Sequence, residues 1–277
     1  MDRVTQTGEA TLSLVGGAGR MGLLLARLLK GRFTVKIVSR DPERAKEAAD
    51  LVGAGWAQIE TAHESDVVVV AVPIDRTVEV CRSLAERMRP HSLLVDLASV
   101  KTGITYTVRD STPPTIEYLS LHPLFGPQVQ DIAGKRLIAV EARGGSMTES
   151  FLRVLQDLGA RIWRATVEEH DRAMAAVQVL HHHALLTFAS TLGQVASNSD
   201  LSPYVTESLE RTMQNLKSMQ ENWETILLIQ RCNPHARRVR EAFAKAAADH
   251  LELDEHSRVN LRRSIMILGS RDDDRSG

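Results

Sequence analysis

The stretch LSLVGGAGRMGLLLARLL, residues 12–29, decides the fold of the first half of this chain. A β-rich run leads straight into a glycine-rich turn, and apolar residues at helical spacing follow it. In a GxGxxG turn, the glycines permit the tight turn, the approach of backbone to a pyrophosphate, and close packing of helix on strand. The helix N-terminus adds N–H donors for an anion. We therefore predict a dinucleotide site rather than an empty glycine-rich turn, with contacts from Gly17, Ala18, Gly19, Arg20, Met21 and Gly22.

Short β-rich runs alternate with helical stretches from Thr11 to about Thr166. The predicted strands are residues 12–15, 34–38, 66–72, 92–97, 117–121 and 136–142, with an edge strand at 161–166. Helices are predicted at residues 21–30, 42–52 and 76–88. This alternation is typical of a doubly wound parallel sheet, so we predict an α/β fold with a Rossmann-type dinucleotide-binding domain over residues 1–166.

The pattern changes after Thr166, where glycine becomes rare and apolar residues recur at helical spacing. We predict an all-helical domain over residues 167–277, built from about three long helices with breaks at Pro203 and at Asn233-Pro234. Broad apolar helix faces are commonly covered by a partner. We therefore expect this domain to form a homodimer and to help bind the substrate.

The composition excludes several other classes of protein. A formal net charge of -1 over 277 residues gives no electrostatic footprint for nucleic acid or an anionic membrane. No apolar run approaches the roughly 18 residues that span a bilayer, and we find no signal region at the N-terminus. Two cysteines, Cys81 and Cys232, are too few for a disulfide framework. We expect a cytoplasmic globular protein.

The end of the second predicted strand distinguishes between the nicotinamide cofactors. An NAD site usually places Asp or Glu there, whereas this strand ends in Ser39-Arg40, which suits a 2′-phosphate. Asp41 follows late and is predicted to cap the next helix. We therefore favour NADP, with NAD as the alternative. If no phosphate binds there, Arg40 is only a solvated cation of the loop. Val72 and Pro73, at the end of the next strand, are also assigned to the cofactor site.

Three later segments carry a more specific signal: DLASVK at residues 96–101, LHPLFGP at 121–127 and EHDRAM at 169–174. In this order behind the glycine turn, they resemble the prephenate dehydrogenase family of tyrosine biosynthesis. The resemblance covers essentially the whole chain. It implies an oxidative decarboxylation of an anionic cyclohexadiene, in which prephenate becomes 4-hydroxyphenylpyruvate.

The resemblance also implies roles for single residues. His122, at the end of a strand, would accept the proton of the 4-hydroxyl; the alternative is a histidine that only stacks on Pro123. Ser99 would make an orienting hydrogen bond between the catalytic histidine and the nicotinamide. Lys101 would place a positive charge near the anionic substrate, unless it is a surface charge at a helix end. His182, and Gln178 one turn before it, would line the substrate pocket.

Other histidines allow more than one interpretation. His181, His182 and His183 are consecutive on a helix and point about 100° apart, so we do not expect them to bind one metal ion. His170 and Asp171 fall where the two predicted domains meet. They are as well suited to brace that junction as to take part in chemistry.

One position departs from the family pattern. Relatives that use prephenate carry a carboxylate-binding arginine where this chain has Gln214, and Arg211, one turn earlier, could substitute for it. The substrate could instead be arogenate or 4-amino-4-deoxyprephenate, the second of which belongs to antibiotic pathways. An alternative of another class is a non-catalytic NADP(H)-binding sensor.

Overall fold

The fold is described from a computed structural model that covers residues 10–196 and 200–273. These residues form two compact units. Among the described residues, the first unit contains those up to Met174 and Glu221–Pro234, and the second contains those from Ala175 to Gln220 and those from His235 onward.

An eight-stranded sheet forms the centre of the first unit within the described residues. Its strands are β1 (Thr11–Val15), β2 (Thr34–Val38), β3 (Gly55–Ala57), β4 (Val67–Val70), β5 (Leu93–Asp96), β6 (Glu117–Pro123), β7 (Arg136–Arg143) and β8 (Arg161–Arg164). The strand order is β3-β2-β1-β4-β5-β6-β7-β8, and every neighbouring pair except β6 and β7 is parallel. The predicted Rossmann-type sheet is confirmed, with β8 at the edge.

The sheet differs from the prediction in two places. The short strand β3 was not predicted, because GWA carries too few residues for a periodic signal. Strand β7 runs antiparallel to β6. Residues 124–135, which join these strands, contain no helix, and without a crossover element a strand returns antiparallel to its neighbour.

Helices cover both faces of the sheet and make up most of the second unit. Their bounds are α1 (Arg20–Leu29), α2 (Pro42–Val52), α3 (Ile74–Ala85), α4 (Thr105–Ser111), α5 (Ser146–Asp157), α6 (Val167–Met174), α7 (Leu180–Val195), α8 (Glu207–Glu221), α9 (Trp223–Cys232), α10 (Ala236–Asp249) and α11 (Glu255–Asp273). The buried faces of α1, α2 and α5 meet the apolar side chains of the sheet in one core. Burying this apolar surface is the main stabilising contribution to the first unit.

The turn between β1 and α1 leaves no room for side chains. Gly16 has a φ of +78°, which favours glycine. A Cβ on Gly22 would lie 2.5 Å from the Cα of Gly17, so the third glycine of the motif is required for the helix to approach the strand. The first turn of α1 contains no acidic residue and no side-chain cap. Its backbone N–H groups are therefore available to an anion.

Within the described residues, the second unit is built from α7, α8, α10 and α11, where about three long helices were predicted. Pro203 lies in a single 3-10 turn, Ser202–Tyr204, and α8 begins after it at Glu207. Pro234 separates α9 from α10, as predicted. A π-helical turn, Ala175–Val179, directly precedes α7, and α10 packs against α7.

The compact units do not divide at the predicted boundary after Thr166. The first unit continues through α6 to Met174, because His170 and Asp171 on α6 are buried among groups of that unit. It also includes α9, which packs against α3. The assignment of a cofactor domain and a substrate domain as functional parts stays a prediction.

Candidate active site

Most of the predicted cofactor residues lie in two segments beside the point where the strand order reverses, between β1 and β4. In open α/β sheets this is the crevice where ligands bind. Gly17–Gly22 follow β1, and Val72 and Pro73 follow β4. The N–H of Ala71 donates to the carbonyl of Val15 at 2.7 Å, which ties the two loops together.

Residues 39–41 take the places predicted for them after β2. The Asp41 carboxylate accepts from the N–H groups of Glu43 and Arg44 at 3.1 and 3.3 Å, and so caps α2. Arg40 is exposed and forms no ion pair within the described part of the chain, and Ser39 is half-buried. The carboxylate is therefore occupied. The Ser39 hydroxyl accepts the N–H of Asp41 at 3.3 Å and can still donate, so this donor and the Arg40 guanidinium remain for a ligand.

Arg20, the first residue of α1, is half-exposed and lies 3.6 Å from the carboxylate of Glu221. An exposed pair of this kind contributes little to stability. The guanidinium is therefore free to exchange this partner for another anion.

His122 lies at the carboxyl end of β6 and is 2% exposed. Its Nδ1 lies 2.8 Å from Nε2 of His170, and Nδ1 of His170 lies 2.8 Å from Oδ1 of Asp171. Both residues of α6 are also buried. We call His122, His170 and Asp171 the histidine relay. The sequence alone leaves the roles of His170 and Asp171 open; in the structure, His170 contacts the predicted catalytic histidine and Asp171 contacts His170.

Backbone groups hold the acidic end of the relay in place. The Asp171 carboxylate accepts the N–H of Lys101 at 2.9 Å and the N–H of Thr102 at 2.7 Å, and its own carbonyl accepts from the Asn233 side chain at 2.9 Å. Burial alone would raise the pKa of Asp171, but the hydrogen bonds with His170, Lys101 and Thr102 outweigh it, so the pKa lies below its ordinary value. The carboxylate is ionised at neutral pH.

The relay fixes the protonation of both imidazoles. A carboxylate only accepts hydrogen bonds, so Nδ1 of His170 carries the proton and Nε2 of a neutral His170 is an acceptor. Nδ1 of His122 must then donate to it, which leaves Nε2 of His122 with a free lone pair. This Nε2 has no hydrogen-bond partner among the described residues, and it is not one of the fully buried unpaired atoms. It is thus a base oriented in advance.

The electrostatic surroundings keep both rings neutral. Burial lowers the pKa of His122 well below its ordinary value, with further lowering from Lys101 and His170 and opposition from Asp171. Burial also lowers the pKa of His170, although its bond with Asp171 acts in the opposite direction. At neutral pH the relay therefore holds one negative charge and two neutral imidazoles.

Lys101 lies elsewhere than predicted. Its side chain is fully buried, and Nζ donates to the carbonyl of Leu121 at 3.1 Å and lies 3.9 Å from Oδ1 of Asp96. The ammonium is directed at strand groups, so the predicted direct contact with an anionic substrate is corrected. The burial of this side chain could not be predicted, because lysine is almost never fully buried.

Ser99 is half-buried in the loop after β5 and makes no hydrogen bond within the described residues. Nδ1 of His122 is bonded to His170, so a bond with Ser99 would have to involve the free Nε2. The orienting role assigned to Ser99 stays a prediction.

Gln178 and His182 lie one turn apart in the second unit, at the junction of the π-helical turn and α7. Oε1 of Gln178 and Nδ1 of His182 are buried and have no hydrogen-bond partner in the described structure. A buried polar atom without a partner costs about 1–3 kcal/mol. Because π-helical turns frequently occur at functional sites, the two orphaned atoms are candidates for contacts with a polar ligand.

Arg211 and Gln214 share α8, also in the second unit, and both are exposed. Arg211 lies 3.5 Å from the carboxylate of Glu207. Their predicted contacts with a substrate carboxylate stay a prediction.

Two searches of the described residues bear on other kinds of site. They contain no group of three His, Cys, Asp or Glu side chains that could hold a metal ion. Among the same residues, no helix is both long and apolar enough to cross a bilayer.

The buried imidazoles predict a pH-dependent stability. His122 and His170 stay neutral when folded, whereas in the unfolded chain they bind protons below about pH 6.5. The free energy of unfolding should therefore fall as the pH drops below this value, by up to about 1.4 kcal/mol per pH unit for each ring. Urea unfolding between about pH 7.5 and 5.5 measures this slope. We expect His122→Asn to flatten it and the exposed control His181→Asn to retain it; equal slopes in all three proteins would contradict the buried neutral ring.

Comparisons with known proteins identify relatives of this chain. The family profile described as "Prephenate dehydrogenase, nucleotide-binding domain" matches residues 25–140. The "Probable arogenate/prephenate dehydrogenase" of Methanocaldococcus jannaschii is 28% identical over 251 residues, which cover 88% of this chain and 56% of that protein. The 4-amino-4-deoxyprephenate dehydrogenase of Streptomyces pristinaespiralis is 30% identical over 190 residues, covering 66% of this chain and 63% of the relative.

A solved structure matches over nearly the whole length. The prephenate dehydrogenase from A. aeolicus, in complex with hydroxyphenyl propionate and NAD+, has a TM-score of 0.80 at 20% identity and covers 97% of this chain and 99% of its own. At that identity the likeness shows the fold. The chain spans about half the length of the first curated relatives that it matches, from 44% to 56%. By the family profile over residues 25–140 and by its sequence relatives, the nucleotide-binding domain of this chain belongs to the prephenate dehydrogenase family.

Proposed function

We propose that this chain oxidises and decarboxylates a prephenate-type cyclohexadiene with a nicotinamide dinucleotide, and that prephenate is the substrate. The histidine relay carries the proposal, because it presents a neutral imidazole with a free Nε2 at the carboxyl end of β6. A hydroxyl at C4 of the ring needs such an acceptor when it becomes a carbonyl.

The proton and electron pairs can be followed through the reaction. When bound, a nicotinamide would supply the oxidant for the C4 hydrogen, which leaves the ring as hydride. His122 Nε2 accepts the hydroxyl proton as the carbonyl forms, and Nδ1 retains its bond to His170. The C1–carboxylate bond then breaks to release CO2, its electron pair aromatises the ring, and the oxygen recovers the proton as a phenol. No net proton is consumed, so a single imidazole is sufficient.

The turn between β1 and α1 fits the dinucleotide. A Cβ at Gly22 or at Gly17 would lie 2.5 Å from backbone atoms, and the helix start offers N–H donors with no acidic side chain nearby. We propose that Gly17–Gly22, Val72 and Pro73 contact the cofactor. Ser39 and Arg40 would contact a 2′-phosphate, because the nearby Asp41 carboxylate is engaged in capping α2. NADP is therefore the preferred cofactor and NAD the alternative.

We further propose that Gln178 and His182 bind the substrate and that the protein is cytoplasmic. We also propose that the second unit forms a homodimer. Helix α7 contains no fully buried residue. Exposed apolar side chains of the second unit include Val177, Val195, Ile265 and Met266. A partner subunit would cover such a surface. Light scattering measures the mass of the protein in solution and so tests the homodimer; a monomeric mass would contradict the homodimer.

The second candidate substrate is 4-amino-4-deoxyprephenate, with arogenate as a further alternative. The 30% identity to the 4-amino-4-deoxyprephenate dehydrogenase of Streptomyces pristinaespiralis favours it. Gln214 cannot form a bidentate pair with a carboxylate, but the candidate substrates share the ring carboxylate, so Gln214 does not separate them. Steady-state turnover of all three compounds, each with NADP and with NAD, separates the candidates. We expect the highest kcat/KM with prephenate and NADP. Cofactor binding without turnover of any of them would instead favour a non-catalytic sensor.

Replacing His122 with Asn tests the assigned base. Asn cannot take up the proton, so kcat should fall by roughly 10²–10⁴-fold. The Kd for NADP, measured by fluorescence titration, should be nearly unchanged. The exposed His91→Asn is the matched control and should retain full turnover. Near-full activity in His122→Asn would remove His122 from the mechanism.

The cofactor preference should respond to the residues after β2. The double substitution Ser39→Glu and Arg40→Ala introduces a ribose-binding carboxylate and removes a phosphate-binding cation. The loss of one charge-assisted contact should move the NADP/NAD ratio of kcat/KM at least about tenfold toward NAD. Arg44→Ala, one turn further along, should leave the ratio unchanged. A ratio that is equal in all variants would contradict the NADP assignment.

A further inference from the structure

Lys101 makes two separate connections to the histidine relay. Its ammonium donates to the carbonyl of Leu121, the residue before His122, at 3.1 Å. Its backbone N–H donates to Oδ1 of Asp171 at 2.9 Å, the same oxygen that contacts His170. Lys101 is thus bonded to the residue that precedes His122, the first member of the relay, and directly to Asp171, the last member.

The buried positive charge of Lys101 is stabilised by the carboxylate of Asp96 at the end of β5. Nζ lies 3.9 Å from Oδ1 of Asp96, and that carboxylate also accepts the N–H of Ala98 at 2.8 Å and the hydroxyl of Tyr118 at 2.7 Å. A buried ion is tolerated only when it is paired and hydrogen-bonded in this way. Because the side chain is fully buried, its ammonium acts on the strand and on His122, and not on a ligand in the crevice.

Resting on the proposed function, we propose that Lys101 is a positioning residue for the reaction: it holds the His122 end of β6 and the Asp171 carboxylate in one fixed arrangement. This assignment replaces the substrate contact that the sequence suggested. It also explains why the lysine stands at the end of the segment DLASVK, in the loop between β5 and α4. From there its ammonium reaches β6 and its backbone N–H reaches α6.

An electrostatic consequence follows from this placement. The charged and titratable groups that face His122 are Lys101 from the loop before α4 and His170 and Asp171 from α6. Burial lowers the pKa of Lys101 to about 8, against the opposing effect of Asp96 and Asp171, so the ammonium is largely charged at neutral pH. A cation beside an imidazole disfavours the imidazolium. Lys101 therefore helps to keep His122 in the basic form.

The test measures the pKa of His122 directly in Lys101→Met, by NMR titration of the imidazole Cε1–H with no ligand present. The signal is assigned as the one that is absent in His122→Asn. Removal of the cation should raise the pKa of His122 by about one unit, whereas Lys46→Met, at an exposed position of α2, should leave it unchanged. An unchanged His122 titration in folded Lys101→Met would overturn the proposal.

Kinetics give a second, independent readout. A positioning residue should lower kcat and move the acid limb of the pH–rate profile to higher pH, with little change in the KM for prephenate. A raised KM at constant kcat would instead mean a direct substrate contact, and would also overturn the proposal. If Lys101→Met does not fold, the neutral pair Asp96→Asn with Lys101→Met removes the unpaired carboxylate and is measured in its place. Absence of turnover in the unmodified protein would refute the proposed function alone, because the NMR titration requires no substrate.

Discussion

The hydrogen bonds of the Asp171 carboxylate are the constraint on which the arrangement around His122 depends. Two of them come from consecutive backbone N–H groups, of Lys101 and Thr102, and the third comes from His170. Hydrogen bonds to a charged acceptor contribute about 1.5–3 kcal/mol each, so this carboxylate fixes the start of α6 against the loop that follows β5. A reciprocal pair of capping bonds between Thr166 and Glu169 begins the same helix. Local and long-range hydrogen bonds therefore agree on where α6 lies.

Proton placement along the relay follows from that one carboxylate. Because the Asp171 carboxylate accepts a hydrogen bond at one end of the relay, each of the two neutral imidazoles can adopt only one tautomer. The lone pair on Nε2 of His122 is therefore oriented before a ligand binds. A group held ready in this way does not have to reorganise when charge develops. Both rings must be neutral for this to hold, and burial ensures it by lowering their pKa values. The same burial that destabilises a charged imidazole thus keeps His122 unprotonated, so that its Nε2 is available to accept a proton.

The sequence predicted what is local and missed what depends on distant contacts. The glycine turn, the capping role of Asp41 and the position of His122 at a strand end each follow from a few adjacent residues. The bond between His122 and His170 joins positions 48 apart, and no periodicity links them. The burial of Lys101 was also beyond prediction, because it requires the partners Asp96 and Leu121 from two neighbouring strands. The adjacent letters EHD were the available signal for the relay, and without the fold they suited a structural role equally well.

The geometry of the relay also bears on how substrates are distinguished. A lone pair on His122 accepts from any donor at C4 of the ring, and a hydroxyl and an amine are both donors. The base alone therefore cannot separate prephenate from its 4-amino analogue. Arogenate keeps the 4-hydroxyl and differs in its side chain, so His122 does not separate it from prephenate either. Discrimination must come from groups that contact the rest of the substrate, and polar groups that lose a partner discriminate most strongly. Within the second unit, the unpaired Oε1 of Gln178 and Nδ1 of His182 are groups of this kind.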